Sequence, residues 1–193
     1  FPNDQEFLAN LILQRSGSFT KNGGREALQT WFRTGEKAQL AAFLTDNKIL
    51  NRFLRETVQE CLDEADELVA NLPRSCFNRV ISIGPGNGLL ELCLFKKTGA
   101  NALLLIDIEE TDLHQAGFAA QGSGYASLDA TKVFLTMNGV PEEAVKTCNP
   151  KSEPLPRFSF DLLMSILSMG FHYPCDDYLD FILENRNCDA RVV

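Results

Sequence analysis

VISIGPGNG, which occupies residues 80–88, predicts a strand that ends in a tight glycine turn. The β-branched residues at its start favour a short buried strand, and the alternating glycines break that strand. Residues 89–97 then have the spacing of a helix. Glycines let the backbone turn sharply and approach a ligand that a Cβ atom would push away, and a helix start behind them offers free amides. The segment therefore predicts a strand, a ligand-binding turn and a helix in succession.

Short apolar segments recur after this turn and alternate with helical patterns. Further strands are predicted at residues 102–106 (ALLLI), 144–149 (AVKTCN), 160–166 (FDLLMSI) and from residue 191 onward. Helices are predicted at residues 127–138 and 176–184. Alternation of this kind is typical of an α/β fold. We therefore predict a Rossmann-like, doubly wound and mostly parallel sheet.

The first 72 residues differ, because they carry helical spacing and almost no strand signal. The longest helix is predicted at residues 48–72, and Pro73 ends it. Residues 16–24 (SGSFTKNGG) have the composition of a loop. We predict an N-terminal helical cap at residues 1–74 and a Rossmann-like ligand-binding domain at residues 75–193.

The composition excludes several classes of protein. The 193 residues include 18 Lys and Arg against 26 Asp and Glu, which gives a net charge of −8 and disfavours a nucleic-acid partner. The six cysteines show no C-x-x-C spacing, so we expect reduced thiols and no zinc ribbon. No apolar run approaches the roughly 18 residues of a membrane span. We therefore expect a cytoplasmic protein with neither a nucleic-acid nor a membrane partner.

An acidic residue, Asp107, follows the second predicted strand. A carboxylate at that strand end can accept hydrogen bonds from both hydroxyls of a ribose. Together with the glycine turn, it predicts a nucleoside-cofactor site. The dinucleotide pattern G-x-G-x-x-G would place glycine at position 89, where this chain has Leu89. A nicotinamide cofactor therefore fits less well than another nucleoside.

The G-x-G-x-G form at residues 84–88 resembles motif I of class I S-adenosylmethionine-dependent methyltransferases. Residues 124–129 (GYASLD), 138–140 (NGV) and 165–174 (SILSMGFHYP) resemble a family described as sugar O-methyltransferases. The resemblance covers about residues 79–178, roughly half of the chain. It implies S-adenosyl-L-methionine as the cofactor and O-methylation of a sugar or another small hydroxylated metabolite.

The resemblance also implies roles for individual residues. Cofactor contacts are expected from Gly84, Pro85, Gly86, Asn87, Gly88, Asp107, Ile108, Asn149 and Ser165. Asn149 is expected near the adenine; Asp129 is the rival for that place, although capping of a helix explains Asp129 equally well. No metal ligand is expected, because Asp176 and Asp177 are better explained as helix caps.

The acceptor site is expected around the end of the fourth strand. Acceptor contacts are expected from Tyr125, Ser168 and Tyr173. His172 is the candidate general base, since a neutral imidazole near pH 7 suits removal of a hydroxyl proton. A structural alternative is that His172 only hydrogen-bonds its own loop. The other histidine, His114, is expected at the surface or at the rim of the cofactor site.

The family carries seven strands, whereas the predicted strands stop at the fifth. We therefore expect a sheet truncated after its fifth strand, with a homo-oligomer or another partner covering the exposed edge. Two other functions stay open. One is a non-catalytic, methyltransferase-like binding or scaffold protein, and the weaker one is an NAD(P)-dependent oxidoreductase.

Overall fold

The computed structural model describes residues 1–2, 4–73, 76–109, 127–171 and 174–193, with the backbone alone for Ala41. The chain forms two compact units, Phe1–Asp63 and Glu64–Val193. The division between them falls inside a long helix, whereas the sequence placed its boundary after that helix. The predicted boundary rested on Pro73, which marks the end of a helix but carries no information on which residues pack together.

The first unit is helical. Its helices are α1 (Gln5–Gln14), α2 (Ser16–Phe19), α3 (Arg25–Thr34), α4 (Ala38–Phe43) and the first part of α5 (Asn47–Asn71), with a π-helical turn at Thr20–Gly24. Aliphatic and aromatic side chains fill its core, among them Leu11, Ile12, Phe19, Leu40 and Phe53. The predicted helical character of this region is confirmed.

The prediction of a loop at residues 16–24 is wrong, because these residues are helical. Tertiary contacts stabilise the helical path despite its polar composition. The ring of Phe19 is fully buried, Ser18 Oγ donates to Glu60 Oε1 at 2.7 Å, and Asn22 Nδ2 donates to the carbonyl of Ser18 at 2.9 Å. Composition alone misses these partners, since Glu60 lies on a distant part of the chain.

The helix α5 is long, with 25 residues, but charged residues recur along it. It packs through a single apolar stripe that includes Phe53, Cys61 and Ala65, all fully buried. In the part of the chain that the structure describes, no helix combines the length and the apolar composition that crossing a membrane requires.

The second unit is a five-stranded sheet with helices. Its strands are β1 (Arg79–Ile83), β2 (Ala102–Ile106), β3 (Val145–Cys148), β4 (Phe160–Met164) and β5 (Arg186–Val192). Its helices are α6 (Leu89–Thr98), α7 (Leu128–Met137) and α8 (Asp176–Asn185), with a short 3-10 turn at Glu142–Ala144. The strand order is β3-β2-β1-β4-β5, and every neighbouring pair is parallel. The predicted Rossmann-like parallel sheet is confirmed.

Helices cover both faces of this sheet, as a doubly wound fold requires. Ile81 belongs to a buried cluster with Phe181 and Ile182 of α8. Its neighbour Ser82 points to the other face, where its hydroxyl donates to Glu91 of α6 at 2.7 Å. Successive side chains of a strand point to opposite faces, so α6 and α8 lie on opposite sides of β1.

The fifth strand begins earlier than predicted. The sequence indicated a strand only from Arg191, whereas β5 covers Arg186–Val192. Its first four residues, RNCD, are exposed and mostly polar, because β5 forms one edge of the described sheet and is not buried on both faces. Apolar patterning therefore fails to mark its start.

Asp161 joins the amino-terminal ends of β1 and β4. Its two carboxylate oxygens accept hydrogen bonds from the backbone amides of Asn78 and Arg79, each at 2.9 Å. The Arg79 side chain donates back to the carbonyl of Ser159 at 2.6 Å, and its guanidinium lies 4.1 Å from the ring centre of Phe158. Asp161 is only 8% exposed, so its carboxylate is largely shielded from water. This edge of the sheet is a structural anchor.

We expect Asp161→Asn to lower the free energy of unfolding by about 1–3 kcal/mol. An amide in place of the carboxylate would turn an NH2 group toward one of two backbone N–H donors. Asp180→Asn on α8 is the matched control, since Asp180 is exposed and we expect its substitution to have almost no effect. Urea unfolding of both variants measures the difference, and equal stabilities would contradict the anchoring role.

Candidate functional site

Four candidate residues follow the carboxyl ends of four neighbouring strands. Gly84 follows β1, Asp107 follows β2, Asn149 follows β3 and Ser165 follows β4. The pairing between the strands continues one residue beyond their ends. The Gly84 amide donates to the carbonyl of Ile106 at 2.8 Å, and the Asp107 amide donates to the carbonyl of Cys148 at 3.2 Å. All four residues therefore lie along one edge of the sheet. Strand order reverses between β1 and β4, which is where open α/β sheets bind ligands.

The glycine turn requires glycine at more than one position. Gly84, Gly86 and Gly88 have φ angles of +75°, +56° and +75°, in the left-handed region that other residues rarely adopt. A Cβ atom on Gly88 would also lie 2.7 Å from Cγ2 of Thr131. Gly88 is the N-cap of α6, and glycine has no side chain to bond the first amides of the helix. The turn is thus a close-packed cradle in front of a helix start.

Asp107 holds this turn against the end of β2. One carboxylate oxygen accepts a hydrogen bond from the Gly86 amide at 3.3 Å, and the other accepts from the Ile108 amide at 2.9 Å. The side chain is only 5% exposed. A carboxylate oxygen can accept more than one hydrogen bond, so these backbone contacts are compatible with binding of ligand hydroxyls.

Two residues that sequence reasoning missed connect α7 to the site, one to the glycine turn and the other to the segment after β2. Thr131 Oγ1 lies 2.6 Å from the carbonyl of Gly86, to which it donates. Glu109 accepts a hydrogen bond from the Leu128 amide at 2.8 Å and so caps α7. Neither residue carries a sequence signal, because a threonine inside a helix and an acid before a loop are common. Glycine at position 88, where any side chain would take up space, was the one hint that another element packs against the turn.

Ser165 and Ser168 connect the end of β4 to the end of β1. Ser165 Oγ donates to the carbonyl of Ile83 at 3.0 Å and accepts from the Met169 amide at 2.8 Å. Ser168 Oγ donates to the carbonyl of Gly84 at 3.4 Å. Both hydroxyl groups therefore support the backbone around the glycine turn. Their predicted contacts with cofactor and acceptor stay predictions.

Leu167, between these two serines, has a left-handed backbone with φ +58°. For a residue with a Cβ atom this conformation costs about 1–2 kcal/mol. The side chain is 72% exposed, so burial of its own apolar surface does not offset that cost. Strain of this kind is concentrated at functional sites.

A cavity of about 350 Å³ opens beside Ile108 at the same edge of the sheet. It is lined by Ile108, Pro150, Lys151, Glu153, Pro154, Leu155, Pro174, Asp177 and Tyr178. Burial raises the pKa of Tyr178 far above its ordinary value, and the nearby charges of Asp107, Asp177 and Cys148 raise it further. The phenol therefore stays protonated and can donate a hydrogen bond. The wall combines apolar groups with a few polar ones, as small-molecule sites do.

The remaining predicted residues fall into two groups. Asn87 is buried in the turn, and Asn149 Oδ1 accepts from the Lys151 amide at 3.0 Å, which shapes the loop after β3. Four predicted residues lie outside the described part of the chain, namely Tyr125, His172, Tyr173 and His114. Their roles stay predictions.

The acidic residues that were considered for the adenine contact or for a metal site lie at helix starts. Asp129 is in the first turn of α7, and Asp176 and Asp177 are in the first turn of α8. Carboxylates there interact favourably with the helix dipole. Across the described ranges, no three His, Cys, Asp or Glu side chains are grouped as a metal site would require.

No family model matches the chain, and no curated protein matches it. Among solved structures, it is similar to a candidate O-methyltransferase from Nostoc punctiforme, with 14% identity and a TM-score of 0.49, over 96% of this chain and 52% of that one. A SAM-dependent methyltransferase from Geobacter sulfurreducens, solved with S-adenosyl-L-homocysteine, has 12% identity and a TM-score of 0.46, over 67% and 46%. A candidate methyltransferase from Pseudomonas syringae has 16% identity and a TM-score of 0.43, over 67% and 70%.

The chain spans about half the length of the Nostoc and Geobacter proteins. At these identities the function has to be argued from the residues of this chain.

We expect Gly88→Ala to destabilise the protein more than Gly99→Ala does. Both glycines have left-handed φ angles, +75° and +69°, so both alanines carry a backbone cost of about 1–2 kcal/mol. Only the Cβ at position 88 meets another atom, Cγ2 of Thr131, while position 99 is open. Thermal and urea unfolding measure the two losses. Equal losses would mean that α7 does not restrict the turn.

We also expect the free energy of unfolding to fall as the pH rises from 9 toward 11. Burial, followed by the charge of Glu153, raises the pKa of Cys148 from 9.0 to about 11. Over that interval the unfolded chain releases a proton that the folded chain keeps, so deprotonation favours unfolding. Tyr178, with its raised pKa, adds to the same trend above its ordinary value of 10.0.

Urea unfolding in a reducing buffer at a series of alkaline pH values measures this slope. Cys148→Ala should flatten it, whereas Cys188→Ala should leave it unchanged because Cys188 is exposed. An identical slope in the Cys148→Ala variant would show that the buried thiol does not contribute.

Proposed function

We propose that the chain binds S-adenosyl-L-methionine and belongs to a methyltransferase that acts on an oxygen of a small hydroxylated acceptor, a sugar or a glycosylated metabolite. The observation that carries the proposal is the contact between the glycine turn and Asp107. The turn contains three left-handed glycines, and the acid of the next strand accepts a hydrogen bond from the amide of the middle one, at the switch point of a parallel sheet and beside a cavity. A nucleoside with a charged tail fits that combination.

The residues of the site offer partners for three parts of this cofactor, namely its carboxylate, its ribose and its base. The backbone amides at the start of α6 suit its carboxylate, because a helix start favours negative charge. The Asp107 carboxylate suits the two ribose hydroxyls. The cavity beside Ile108 suits the base, with an apolar wall for its faces and the Tyr178 phenol as a hydrogen-bond donor. We propose that Asn149 lies at the rim of this site for the adenine.

The lack of room for a side chain at position 88 supports the same assignment of the turn to the cofactor. A Cβ atom at position 88 would collide with Thr131, so the turn can form its close-packed cradle only with glycine there. The proposed cofactor contacts are those of Gly84, Pro85, Gly86, Asn87, Gly88, Asp107, Ile108, Asn149 and Ser165.

When bound, this cofactor supplies a methyl group activated by a positively charged sulfur. The protein has to align the acceptor oxygen with that methyl group, and alignment alone can account for much of the rate. We assign His172 as the base that accepts the hydroxyl proton of the acceptor. Tyr125, Ser168 and Tyr173 are assigned to the acceptor site, on the resemblance of their segments to sugar O-methyltransferases.

The partners follow from charge and exposure. The net charge of −8 disfavours nucleic acid as the acceptor, so a small neutral molecule is proposed. We place the protein in the cytoplasm, on the absence of paired-cysteine spacing in its sequence. The exposed edge strand β5 is proposed to be covered by a second copy or another partner.

A non-catalytic binding or scaffold protein is the second candidate. It is favoured by the loop after β4, since residues 165–171 contain no titratable side chain and both serine hydroxyls there are bonded to backbone carbonyls. Catalysis would then depend on residues beyond this segment, with His172 as the first of them.

We expect the wild-type chain to bind S-adenosylhomocysteine with a dissociation constant in the micromolar range, about that of typical enzyme ligands. Asp107→Asn should weaken binding by about tenfold or more, because hydrogen bonds to a charged acceptor are strong. Asp180→Asn is the matched control, because Asp180 is exposed, and it should bind as the wild type does. Isothermal titration calorimetry, with circular dichroism to confirm folding, measures all three.

Two further results would redirect the proposal. Tighter binding of NADH than of S-adenosylhomocysteine would indicate an oxidoreductase, and failure of the folded wild type to bind either would leave the scaffold candidate. If methyl transfer to a sugar is observed, His172→Ala should abolish it without weakening cofactor binding. Loss of binding in that variant would contradict its role as the base.

A further inference from the structure

The backbone of Gly86 is held from two directions by two different elements. Its amide donates to Asp107 Oδ2 at 3.3 Å, and its carbonyl accepts from Thr131 Oγ1 at 2.6 Å. These groups belong to the peptide units on either side of the Gly86 Cα atom, so the two bonds together restrict φ and ψ of this residue. Glycine has little conformational preference of its own. The restriction therefore has to come from its partners.

The methyl group of Thr131 acts on the same turn. Its Cγ2 lies 2.7 Å from the position that a Cβ atom on Gly88 would occupy. Thr131 is 1% exposed, so the side chain lies inside a close-packed contact. One threonine thus orients the Gly86 carbonyl through its hydroxyl and fills the space beside Gly88 through its methyl group.

The position of Thr131 is itself well determined. It lies in the first part of α7, where Ser127 Oγ accepts from the Ala130 amide at 3.2 Å as the helix cap. Glu109 accepts from the Leu128 amide at 2.8 Å and joins the helix start to the segment that follows Asp107. The two partners of Gly86 are therefore linked to each other through α7.

We propose that Thr131 is a positioning residue of the cofactor site, which sets the conformation of the glycine turn for ligand binding through the Gly86 carbonyl. The inference rests on the proposed function of that site. Thr131 Oγ1 also lies 2.9 Å from the carbonyl of Ser127, the usual intrahelical partner of a threonine. The distance to the Gly86 carbonyl is shorter, so that carbonyl is the principal acceptor of the single hydroxyl proton of Thr131.

The test compares Thr131→Val, which keeps the shape and removes the hydroxyl, with Thr131→Ser, which keeps the hydroxyl and removes the methyl group. Thr136→Val is the matched control on the same helix, because Thr136 is half-buried and its hydroxyl donates to the carbonyl of Val133 within that helix. Two readouts are measured: the affinity for S-adenosylhomocysteine and the hydrogen-exchange rate of the Gly86 amide.

We expect Thr131→Val to weaken binding by about tenfold, the size of one lost hydrogen bond, and to speed exchange of the Gly86 amide. Thr131→Ser should stay within about twofold of the wild type in affinity, and Thr136→Val should change neither readout. Wild-type affinity in a folded Thr131→Val variant would overturn the inference and leave the proposed cofactor intact.

If the wild type does not bind the probe, the proposed function fails while the exchange rate still tests Thr131. Unchanged exchange at Gly86 in Thr131→Val would then overturn the inference. Should Thr131→Val fail to fold, Gly88→Ala is compared in the wild-type and Thr131→Ser backgrounds. The loss of thermal stability should be smaller with serine, which lacks Cγ2, and equal losses would overturn the contact on which the inference depends.

Discussion

The parallel pairing of β1 with β2 is the constraint on which the site depends. Arg79 pairs with Ala102 and Ile83 with Ile106, and the ladder continues past the strand ends into Gly84. A shift of one residue would turn every side chain of β2 to the opposite face. Asp107 would then no longer reach the Gly86 amide. The contact between acid and turn is thus a consequence of strand register.

The amino-terminal and carboxyl-terminal ends of the strands are stabilised in different ways. At the amino edge, the buried Asp161 bonds the backbone at the start of β1 and restricts it. At the carboxyl edge, the turn consists of glycines, and its order comes from hydroxyl and carboxylate groups of the neighbouring elements, chiefly those of Asp107, Thr131 and Ser168. A rigid sheet and an intrinsically flexible turn are compatible only because these partners are buried.

The cavity follows from the way β3 is connected to β4. Residues 149–159, all described, contain no helix. They cross the face of the sheet on which α8 packs, and several of them form the cavity wall together with Tyr178. The wall of the space beside Ile108 is therefore formed largely by this irregular, proline-rich connection.

Much of the fold was predictable. Strands were predicted at residues 80–83, 102–106 and 160–166, close to the observed β1, β2 and β4, because strands buried on both faces are marked by continuous apolar runs. The start of β5 was missed because an exposed edge strand lacks that run. The helical residues 16–24 were missed because buried partners, which composition does not show, override their loop-like composition.

The sequence by itself determined the parallel sheet, the glycine turn and the acid that follows β2. The physical reason is that apolar periodicity and the need for glycine at left-handed φ are properties of single segments. Only the tertiary structure decided that Asp107 and Thr131 meet at Gly86, that Ser165 and Ser168 support the turn, and that a cavity lies beside Ile108. These features arise between segments far apart in the chain, where the partner of a hydroxyl or carboxylate is set by packing and register.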